Sequence, residues 1–281
     1  MKIAIIGANG QLGRSLVSCD KAKCHSIYSL THDDIEISEY SSIVKALNHI
    51  EPDLIINTAA YHSDMKNCYD NMKVNAKGVY QLCLYCELTR SQLVHISTDY
   101  VFDGKKKKPY LENDTLNPIN YYGYSKYYGE TIISFSNHFK YYIVRTSSLF
   151  GHGGSRAKNN TNFVEFVISK INKNEDLYMH DNVIMSPSYA PDVSKQIFEI
   201  IESELDHKIY HVSNSGQCSW FQFAEFIYKQ YKNDDSSNIF VSKNNDSLRP
   251  EFTVLETSWK SDLLAMPNWQ DAIVRYLNES D

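Results

Sequence analysis

The sequence predicts an α/β protein with a doubly wound parallel sheet, and three observations predict it. Short apolar runs alternate with helical patterns through the first half of the chain. The apolar runs are continuous rather than alternating, as in sheets that helices cover on both faces. A glycine-rich turn follows the first apolar run and opens the first helical pattern. Strands separated by helices pair in parallel through right-handed crossovers, which produces this architecture.

The elements divide between a regular first half and a less regular second half. The strand candidates are 2–6, 25–30, 54–57, 92–97, 141–146, 209–213 and 239–241. The helix candidates are 11–18, 41–49, 74–89, 122–135, 162–172, 191–205 and 220–231. We assign residues 1–150 to a dinucleotide-binding domain, which the elements near 191–213 join. Residues 151–281 are expected to form mainly a smaller, substrate-binding part, with a polar loop at 232–246.

Composition excludes several classes of protein. The 281 residues are 42% hydrophobic and 22% charged, which is typical of a soluble globular protein. A net charge of −6 argues against a nucleic-acid partner. No apolar stretch reaches the roughly 18 residues of a membrane span, and the apolar run near the N-terminus is too short for a signal peptide. The six cysteines are scattered, which favours reduced thiols and a cytoplasmic protein.

The glycine-rich turn has the composition of a phosphate-binding loop. Gly7, Gly10 and Gly13 follow the first strand directly, with the spacing G-x-x-G-x-x-G. Glycine permits a tight turn and a close approach of the backbone to a pyrophosphate, and the helix N-terminus offers free N–H groups to it. The turn therefore predicts a nucleotide cofactor, bound by residues Gly7, Asn9, Gly10, Gln11, Leu12 and Gly13.

The end of the second strand bears on which nicotinamide cofactor binds. An acidic residue at this position typically holds the ribose 2′-hydroxyl of NADH. Here the strand ends at Thr31 and His32, and Asp33 and Asp34 come only afterwards. The pattern favours NADPH, with NADH left open, and makes His32 and Arg14 the candidates to hold a 2′-phosphate.

A tyrosine and a lysine four residues apart predict the chemistry. The stretch "NYYGYSKYYGE" contains five tyrosines, but Tyr122 is the one placed one helical turn before Lys126. An ammonium near a phenol lowers the phenol pKa, so the phenol can donate a proton to a carbonyl oxygen as hydride reaches the carbon. Thr98 ends a strand at the carboxyl edge of the sheet, where its hydroxyl could bind the same substrate oxygen.

Six segments occur in the order of a known family. They are the glycine turn, "NTAAY" at 57–61, "STDYVFDG" at 97–104, "YYGYSKYYGE" at 121–130, "RTSSLFG" at 145–151 and "RPEFTVLETS" at 249–258. With them the chain resembles the extended short-chain dehydrogenase/reductases, and among these the dTDP-4-dehydrorhamnose reductases. The resemblance implies a Rossmann-type fold and an oxidoreductase. It would use NADPH to reduce the C4 keto group of a dTDP-4-keto-6-deoxy sugar, for dTDP-L-rhamnose or a related deoxysugar of polysaccharide biosynthesis.

The resemblance also implies a role for each matching residue. Thr98, Tyr122 and Lys126 would be catalytic, and Lys126 would bind the nicotinamide ribose as well. Asn75 would support the lysine from a neighbouring helix. The residues implied along the cofactor are Asn57, Ala59, Ala60 and Tyr61, beside those of the glycine turn and His32. The residues implied at the nucleotide-sugar substrate are Thr98, Asp99, Tyr100, Ser148 and Arg249.

The sequence departs from the family at the substrate rim. Ser148 stands where the family has an aromatic residue, so the sugar pocket is expected to be wider or more polar. Segment 62–68 lacks the acidic residues that some relatives use in a magnesium-linked dimer, so we expect no metal and leave a homodimer open. Two alternatives stay open: a sugar-nucleotide epimerase of the same superfamily, and a non-catalytic NAD(P)-binding regulatory subunit. Asp99-Tyr100 after Thr98 argues against a dehydratase, which commonly has Asp-Glu there.

Overall fold

The computed structural model describes residues 1–62, 66–154, 161–203, 205, 208–234, 237–242, 248–259 and 261–279. The strands are β1 Lys2–Ile6, β2 Ser26–Leu30, β3 Leu54–Asn57, β4 Gln92–Thr98, β5 Tyr141–Thr146, β6 Leu149–Phe150, β7 Leu177–Met179, β8 Ile184–Met185, β9 Ser188–Tyr189, β10 Ile209–His211, β11 Cys218–Ser219 and β12 Ile239–Val241. The α-helices are α1 Gln11–Ser18, α2 Tyr40–Leu47, α3 Cys68–Met72, α4 Val79–Thr89, α5 Tyr121–Ser134, α6 Phe163–Asn172, α7 Ala190–Glu202, α8 Trp220–Lys232 and α9 Trp269–Glu279.

A six-stranded parallel sheet confirms the predicted fold class. Its strand order is β10-β5-β4-β3-β1-β2, and every pair in it is parallel. The chain passes from β1 to β2 on one side and returns to β3 on the other, so the strand order reverses at β1. Ligands of open parallel sheets bind in the crevice at the carboxyl ends of the strands flanking such a reversal. This geometry places the candidate site at the carboxyl edge of the sheet, near the ends of β1 and β3.

Helices cover both faces of the sheet, and each face has its own apolar cluster. One cluster joins the sheet to α1 and α7 through Leu12, Leu16, Val193 and Ile197. The other joins it to α2 and α4 and includes Ile43, Leu47, Val79 and Leu82. Because both faces are covered, β3 is buried at all four of its positions, as its continuous apolar sequence predicts.

A third apolar cluster brings together elements from residue 150 onward. It packs α6, α8 and α9 with the short strands β7 and β12, through a set that includes Phe150, Val167, Phe223 and Trp269. Strand β10 lies outside this cluster and pairs with β5 at the edge of the main sheet. The division of the chain near residue 150 stays a prediction. Among the described residues, no helix is long and apolar enough to cross a bilayer.

Two helical features differ from the prediction. The helix expected over 74–89 begins earlier, as α3, and contains a π-helical segment at Lys73–Gly78 before α4. Helix α9 has no counterpart in the prediction, although Trp269, Ala272, Ile273 and Tyr276 are buried at the i, i+3, i+4, i+7 spacing of an amphipathic helix. The periodicity that would have revealed α9 is therefore present in the sequence.

Candidate active site

The glycine turn brings three strand ends together. Gly7 has a φ of +79°, and a Cβ at this residue would lie 2.7 Å from Thr58 Oγ1 and 3.0 Å from the Ala59 nitrogen. A side chain would therefore clash with the segment that follows β3. The N–H groups of Gly7 and Ala8 both donate to the Leu30 carbonyl at the end of β2, at 2.9 and 3.0 Å.

Helix α1 begins with features suited to a diphosphate. Its N-cap is Gly10, which makes no side-chain cap hydrogen bond, so the first N–H groups of the helix keep their donor capacity. Among the described atoms, the buried Gln11 Nε2 has no hydrogen-bond partner. Free backbone donors, a positive dipole end and an unsatisfied buried amide fit the pyrophosphate of a dinucleotide.

At the tip of β2, the structure separates the two candidates for a 2′-phosphate. The Arg14 guanidinium donates to the carbonyls of Asn9, Gly153 and Gly154, the last at 2.8 Å, so Arg14 is engaged by the protein itself. The His32 side chain is 70% exposed, and its Nε2 lies 3.8 Å from Glu36. Of the two candidates, His32 is therefore the one whose side chain is exposed and not held by backbone carbonyls.

Asp34, the second of the two acids after β2, is bonded to Thr31 at the tip of the strand. The Asp34 carboxylate accepts hydrogen bonds from the backbone N–H and the hydroxyl of Thr31, both at 2.8 Å. The bond from the backbone N–H is the main cause of the lowered pKa of Asp34. The Asp34 carboxylate therefore stabilises the turn from Thr31 to Asp34 through hydrogen bonds within the protein.

Asn75, in the π-helical segment, holds the segment after β3. Its amide pairs with the backbone of Tyr61, with Asn75 Oδ1 accepting at 2.9 Å and Nδ2 donating at 2.8 Å. The same Nδ2 donates to Ser125 Oγ at 2.9 Å. Ser125 precedes Lys126 on α5, so Asn75 connects the segment expected along the cofactor with the lysine helix.

Thr98, Asp99 and Tyr122 come together at the carboxyl end of β4. Thr98 Oγ1 donates to Asp99 Oδ1 at 2.9 Å and accepts from the Tyr100 N–H at 3.2 Å. Asp99 Oδ2 also accepts from Ser147 Oγ at 2.7 Å. Burial nevertheless raises the pKa of Asp99, against these hydrogen bonds.

Gly123 lets the start of α5 approach this cluster. A Cβ there would lie 2.2 Å from the Tyr100 carbonyl oxygen, which no side chain could tolerate. Asn120 caps the helix by accepting from the Gly123 N–H at 2.8 Å. As a result, the Tyr122 ring packs edge-on against Tyr100, with ring centroids 5.9 Å apart. Burial raises the pKa of the Tyr122 phenol, and the nearby Thr98 hydroxyl lowers it.

The other tyrosines of this helix do not share the position. Tyr121, Tyr124 and Tyr128 are exposed at 48%, 41% and 46%. Tyr127 is half-buried and its ring lies beside Tyr128, at 5.8 Å between centroids. Tyr122 alone of the five lies against Thr98 and Tyr100.

Lys126 is buried next to Tyr122 on α5 but is not bonded to the phenol. Its Nζ contacts the Ile96 carbonyl at 2.5 Å and His95 Nε2 at 3.2 Å. Burial lowers the pKa of Lys126 to about 7, while Glu130 raises it. Since burial also raises the phenol pKa, the expected lowering of the Tyr122 pKa by the lysine is not present in this arrangement. A lowered Tyr122 pKa would require a charged Lys126 ammonium that points towards the phenol.

The expected substrate side holds Tyr100, Arg249 and an unanticipated residue, Trp220. The Arg249 guanidinium lies 5.6 Å from the centroid of the Trp220 ring. The positive charge of Arg249 acts on Tyr100, whose pKa burial raises to about 12. Trp220 Nε1 is buried without a hydrogen-bond partner among the described atoms. Ser148 has a φ of +39°, and its carbonyl accepts from the Ser188 N–H at 3.2 Å.

Comparison with known proteins identifies the family. The family model described as "RmlD substrate binding domain" matches residues 1–281. The chain belongs to the RmlD substrate binding domain family. A relative of this family member is the spore coat polysaccharide biosynthesis protein SpsK of Bacillus subtilis (strain 168). The two are 33% identical over 99% of this chain and 97% of the relative.

Two further similar proteins are named as reductases. The dTDP-4-dehydrorhamnose reductase of Sinorhizobium fredii is 30% identical over 82% of this chain and 78% of its own. The crystal structure of dTDP-4-dehydrorhamnose reductase from Bacillus anthracis, in complex with NADP, superposes with a TM-score of 0.90. That structure is 33% identical, with 99% of both chains covered. The resemblance inferred from the sequence motifs is therefore confirmed.

Several contacts of this RmlD-family site were missed by sequence reasoning. Thr58 donates to the Ile6 carbonyl at 2.8 Å and so joins the ends of β3 and β1. His95 contacts Lys126, and Trp220 lies under Arg249. No local sequence pattern marks His95, which becomes apparent only from the observed register that places this histidine opposite Asn57. Residues 63–65 of the segment expected to lack a metal site lie outside the described residues.

Proposed function

We propose that this protein reduces the C4 keto group of a dTDP-4-keto-6-deoxy sugar with NADPH. One observation carries the proposal: the Tyr122 phenol lies beside the Thr98 hydroxyl at the carboxyl end of β4, with Lys126 one helical turn further along α5. The glycine turn ends β1 at the same edge of the sheet. A proton donor, an orienting hydroxyl and a dinucleotide loop are the parts that reduction of a carbonyl needs.

Each residue has one task in this proposal. NADPH, when bound, supplies the hydride that reaches C4. Tyr122 donates its phenolic proton to the carbonyl oxygen, so the ketone becomes a secondary alcohol. The Thr98 hydroxyl orients that oxygen, and its own orientation is fixed by Asp99. Lys126 in its charged form stabilises the phenolate that remains on Tyr122 until solvent returns the proton.

Arg249 and its neighbours are proposed to bind the nucleotide. A guanidinium can bind a diphosphate through two parallel hydrogen bonds. Asn120, the cap of α5, donates to the Leu248 carbonyl at 2.8 Å and so fixes the segment before Arg249 to the helix that carries Tyr122. The unsatisfied Nε1 of Trp220 offers one more donor on this side. These donors support an anionic nucleotide sugar as substrate.

The protein's setting is also a proposal. All six cysteines are free thiols, which favours a reducing compartment, and we propose a cytoplasmic enzyme. A homodimer stays a prediction. The described residues contain no cluster of acidic, histidine or cysteine side chains suited to a metal ion.

The test is oxidation of NADPH with a panel of 4-keto sugar nucleotides, followed by the absorbance of reduced nicotinamide. We expect consumption with a dTDP-linked 4-keto-6-deoxy sugar and one secondary alcohol formed per NADPH consumed. Isomerisation of the sugar with no net cofactor consumption would indicate an epimerase instead. Tight NADPH binding with no turnover of any panel member would indicate a regulatory subunit.

A further inference from the structure

Three buried polar side chains form a hydrogen-bonded chain from the end of β3 to helix α5. Asn57 and His95 are register partners on β3 and β4, and Lys126 reaches them from α5. Their exposures are 0%, 0% and 1%. Asn57 Nδ2 lies 3.3 Å from His95 Nδ1, and His95 Nε2 lies 3.2 Å from Lys126 Nζ.

The first contact determines which ring nitrogen of His95 carries the proton. The N–H of Ala59 donates to Asn57 Oδ1 at 3.1 Å, which fixes the oxygen of this amide and leaves Nδ2 towards the ring. An amide nitrogen can only donate, so His95 Nδ1 must accept and carries no proton. Burial, together with the nearby Lys126, keeps the pKa of His95 well below its usual value, so the ring is neutral. The proton therefore lies on Nε2.

The second contact then depends on the charge of Lys126. The Nε2–H of His95 points at Nζ, and this is a hydrogen bond only if Lys126 is a neutral amine that accepts it. An ammonium can still donate to the Ile96 carbonyl, but it would direct another N–H at the Nε2–H of His95. Charging Lys126 therefore favours moving the His95 proton to Nδ1. That move turns the Asn57 amide over and breaks its bond to Ala59.

We propose that His95 is a positioning residue that links the charge of Lys126 to the conformation of the segment at Asn57–Ala59. The link deepens the proposed function and rests on it, because that segment is expected along the cofactor and Lys126 is the expected partner of the phenol. NADPH binding that moves the Asn57 amide would favour the ammonium form of Lys126. Binding and protonation of the lysine would then occur together.

Among the ionisable groups around Lys126, His95 is the one placed to link the lysine to Asn57. Glu130, on the same helix, favours the charged lysine but is already bonded to Arg145 from β5. Tyr122, one turn earlier on α5, has a pKa raised by burial and is neutral. Asp99 lies beside Tyr122 and accepts from Thr98 and Ser147. Of these neighbours, His95 alone contacts both Lys126 Nζ and Asn57, the last residue of β3.

The first test reads the tautomer of His95 directly in the unmodified protein. Long-range proton–nitrogen spectra of protein with 15N-labelled histidine distinguish Nε2–H, Nδ1–H and imidazolium forms, and the signal missing from His95→Gln identifies the residue. We expect the Nε2–H form at pH 8 without NADPH and a change of tautomer when NADPH is added. An Nδ1–H form or an imidazolium without NADPH, or an unchanged Nε2–H form with it, would overturn the proposal.

The second test follows the pH dependence of NADPH affinity by tryptophan fluorescence, without substrate. In the wild type, binding takes up a proton, so the Kd should rise between pH 7 and 9 by at most about tenfold per pH unit. Glutamine at position 95 can present its oxygen to an ammonium, so His95→Gln should flatten this dependence. Phenylalanine can bond to neither Asn57 nor Lys126, so His95→Phe breaks the link and should flatten the dependence as well. Equal slopes in all three proteins would show that His95 merely packs.

The two proposals can fail separately. A wild-type protein that reduces 4-keto sugar nucleotides but shows the same slope as both variants retains the proposed function and loses the role of His95. A protein that reduces no member of the panel but shows the expected tautomer and slopes loses the proposed function and retains the link.

Discussion

Arg145 of β5 and Glu130 of α5 form a buried, bidentate ion pair one helical turn after Lys126. Arg145 Nε donates to Glu130 Oε1 at 3.0 Å, and Nη2 donates to Oε2 at 2.7 Å. The two side chains are 2% and 3% exposed. Arg145 Nη1 also donates to the Glu112 carbonyl at 3.0 Å. The pair fixes α5, and with it Lys126 one turn earlier, to strand β5 of the sheet.

Removing the charge of Glu130 should therefore destabilise the fold. Glu130→Gln leaves the Arg145 guanidinium buried without a counter-charge, which costs about 3–5 kcal/mol of unfolding free energy. Urea unfolding followed by circular dichroism measures the loss. Glu175→Gln, which removes the exposed partner of Lys170, is the control and should not change the midpoint measurably. Equal effects of the two substitutions would contradict the structural role of the buried pair.

Tyr122→Phe should reduce turnover strongly while leaving the cofactor site intact. The substitution removes only the phenolic oxygen, and loss of a general acid typically lowers kcat by about a hundredfold to ten-thousandfold. The Kd for NADPH, measured by fluorescence titration, should stay the same. Tyr124→Phe is the matched control, because Tyr124 lies on the same helix and is 41% exposed. A larger loss of kcat for Tyr124→Phe would mean that the wrong tyrosine has been assigned.

The low pKa of Lys126 should appear in the pH dependence of stability. The unfolded lysine has a pKa near 10.4, and burial lowers the folded value to about 7. Between these values the unfolded state binds one proton more than the folded state, so this residue makes the unfolding free energy rise with pH. Lys126→Met removes that contribution.

Buried thiols also contribute to the pH dependence of stability, so the contribution of Lys126 is taken from the difference between wild type and Lys126→Met. Burial raises the pKa of Cys83 to about 12, so this thiol acts in the opposite direction above the usual thiol pKa. We therefore expect the difference in urea midpoint, wild type minus Lys126→Met, to increase from pH 7 to pH 10. Below pH 7 the difference should be constant. A flat difference over the whole range would show that Lys126 is charged in the folded protein.

The sheet and the shared helix of Tyr122 and Lys126 could be predicted from the sequence because their signals are local. Continuous apolar runs gave β1, β3 and β5 with their observed bounds. The spacing of Tyr122 and Lys126 predicted one helix face, and the structure has both residues on α5. A fold built from local patterns and short crossovers can be derived before any tertiary contact is known.

The contacts of Lys126 could not be derived in this way. They depend on the register of β4 against β3 and on how closely α5 approaches the sheet, and neither is written in a local pattern. Arg14 shows the same limit: its position in the sequence suits a phosphate ligand, but carbonyls 139 and 140 residues away engage its guanidinium. Hydrogen bonds between residues distant in sequence decide which of several suitable side chains is available.

Arg249→Ala should weaken substrate binding more than it affects chemistry. If the guanidinium binds the diphosphate from its position over Trp220, its removal should cost about 1.5–3 kcal/mol, or roughly a tenfold to hundredfold increase in KM. The kcat at saturating substrate and the Kd for NADPH should change little, because Arg249 contacts neither the phenol nor the glycine turn in the proposed arrangement. Arg249→Lys keeps the charge but not the planar pair of donors, so its KM should be intermediate. Initial rates at varied nucleotide-sugar concentration, with NADPH saturating, give both constants. An unchanged KM together with a lower kcat would place Arg249 in the chemical step and move the diphosphate elsewhere.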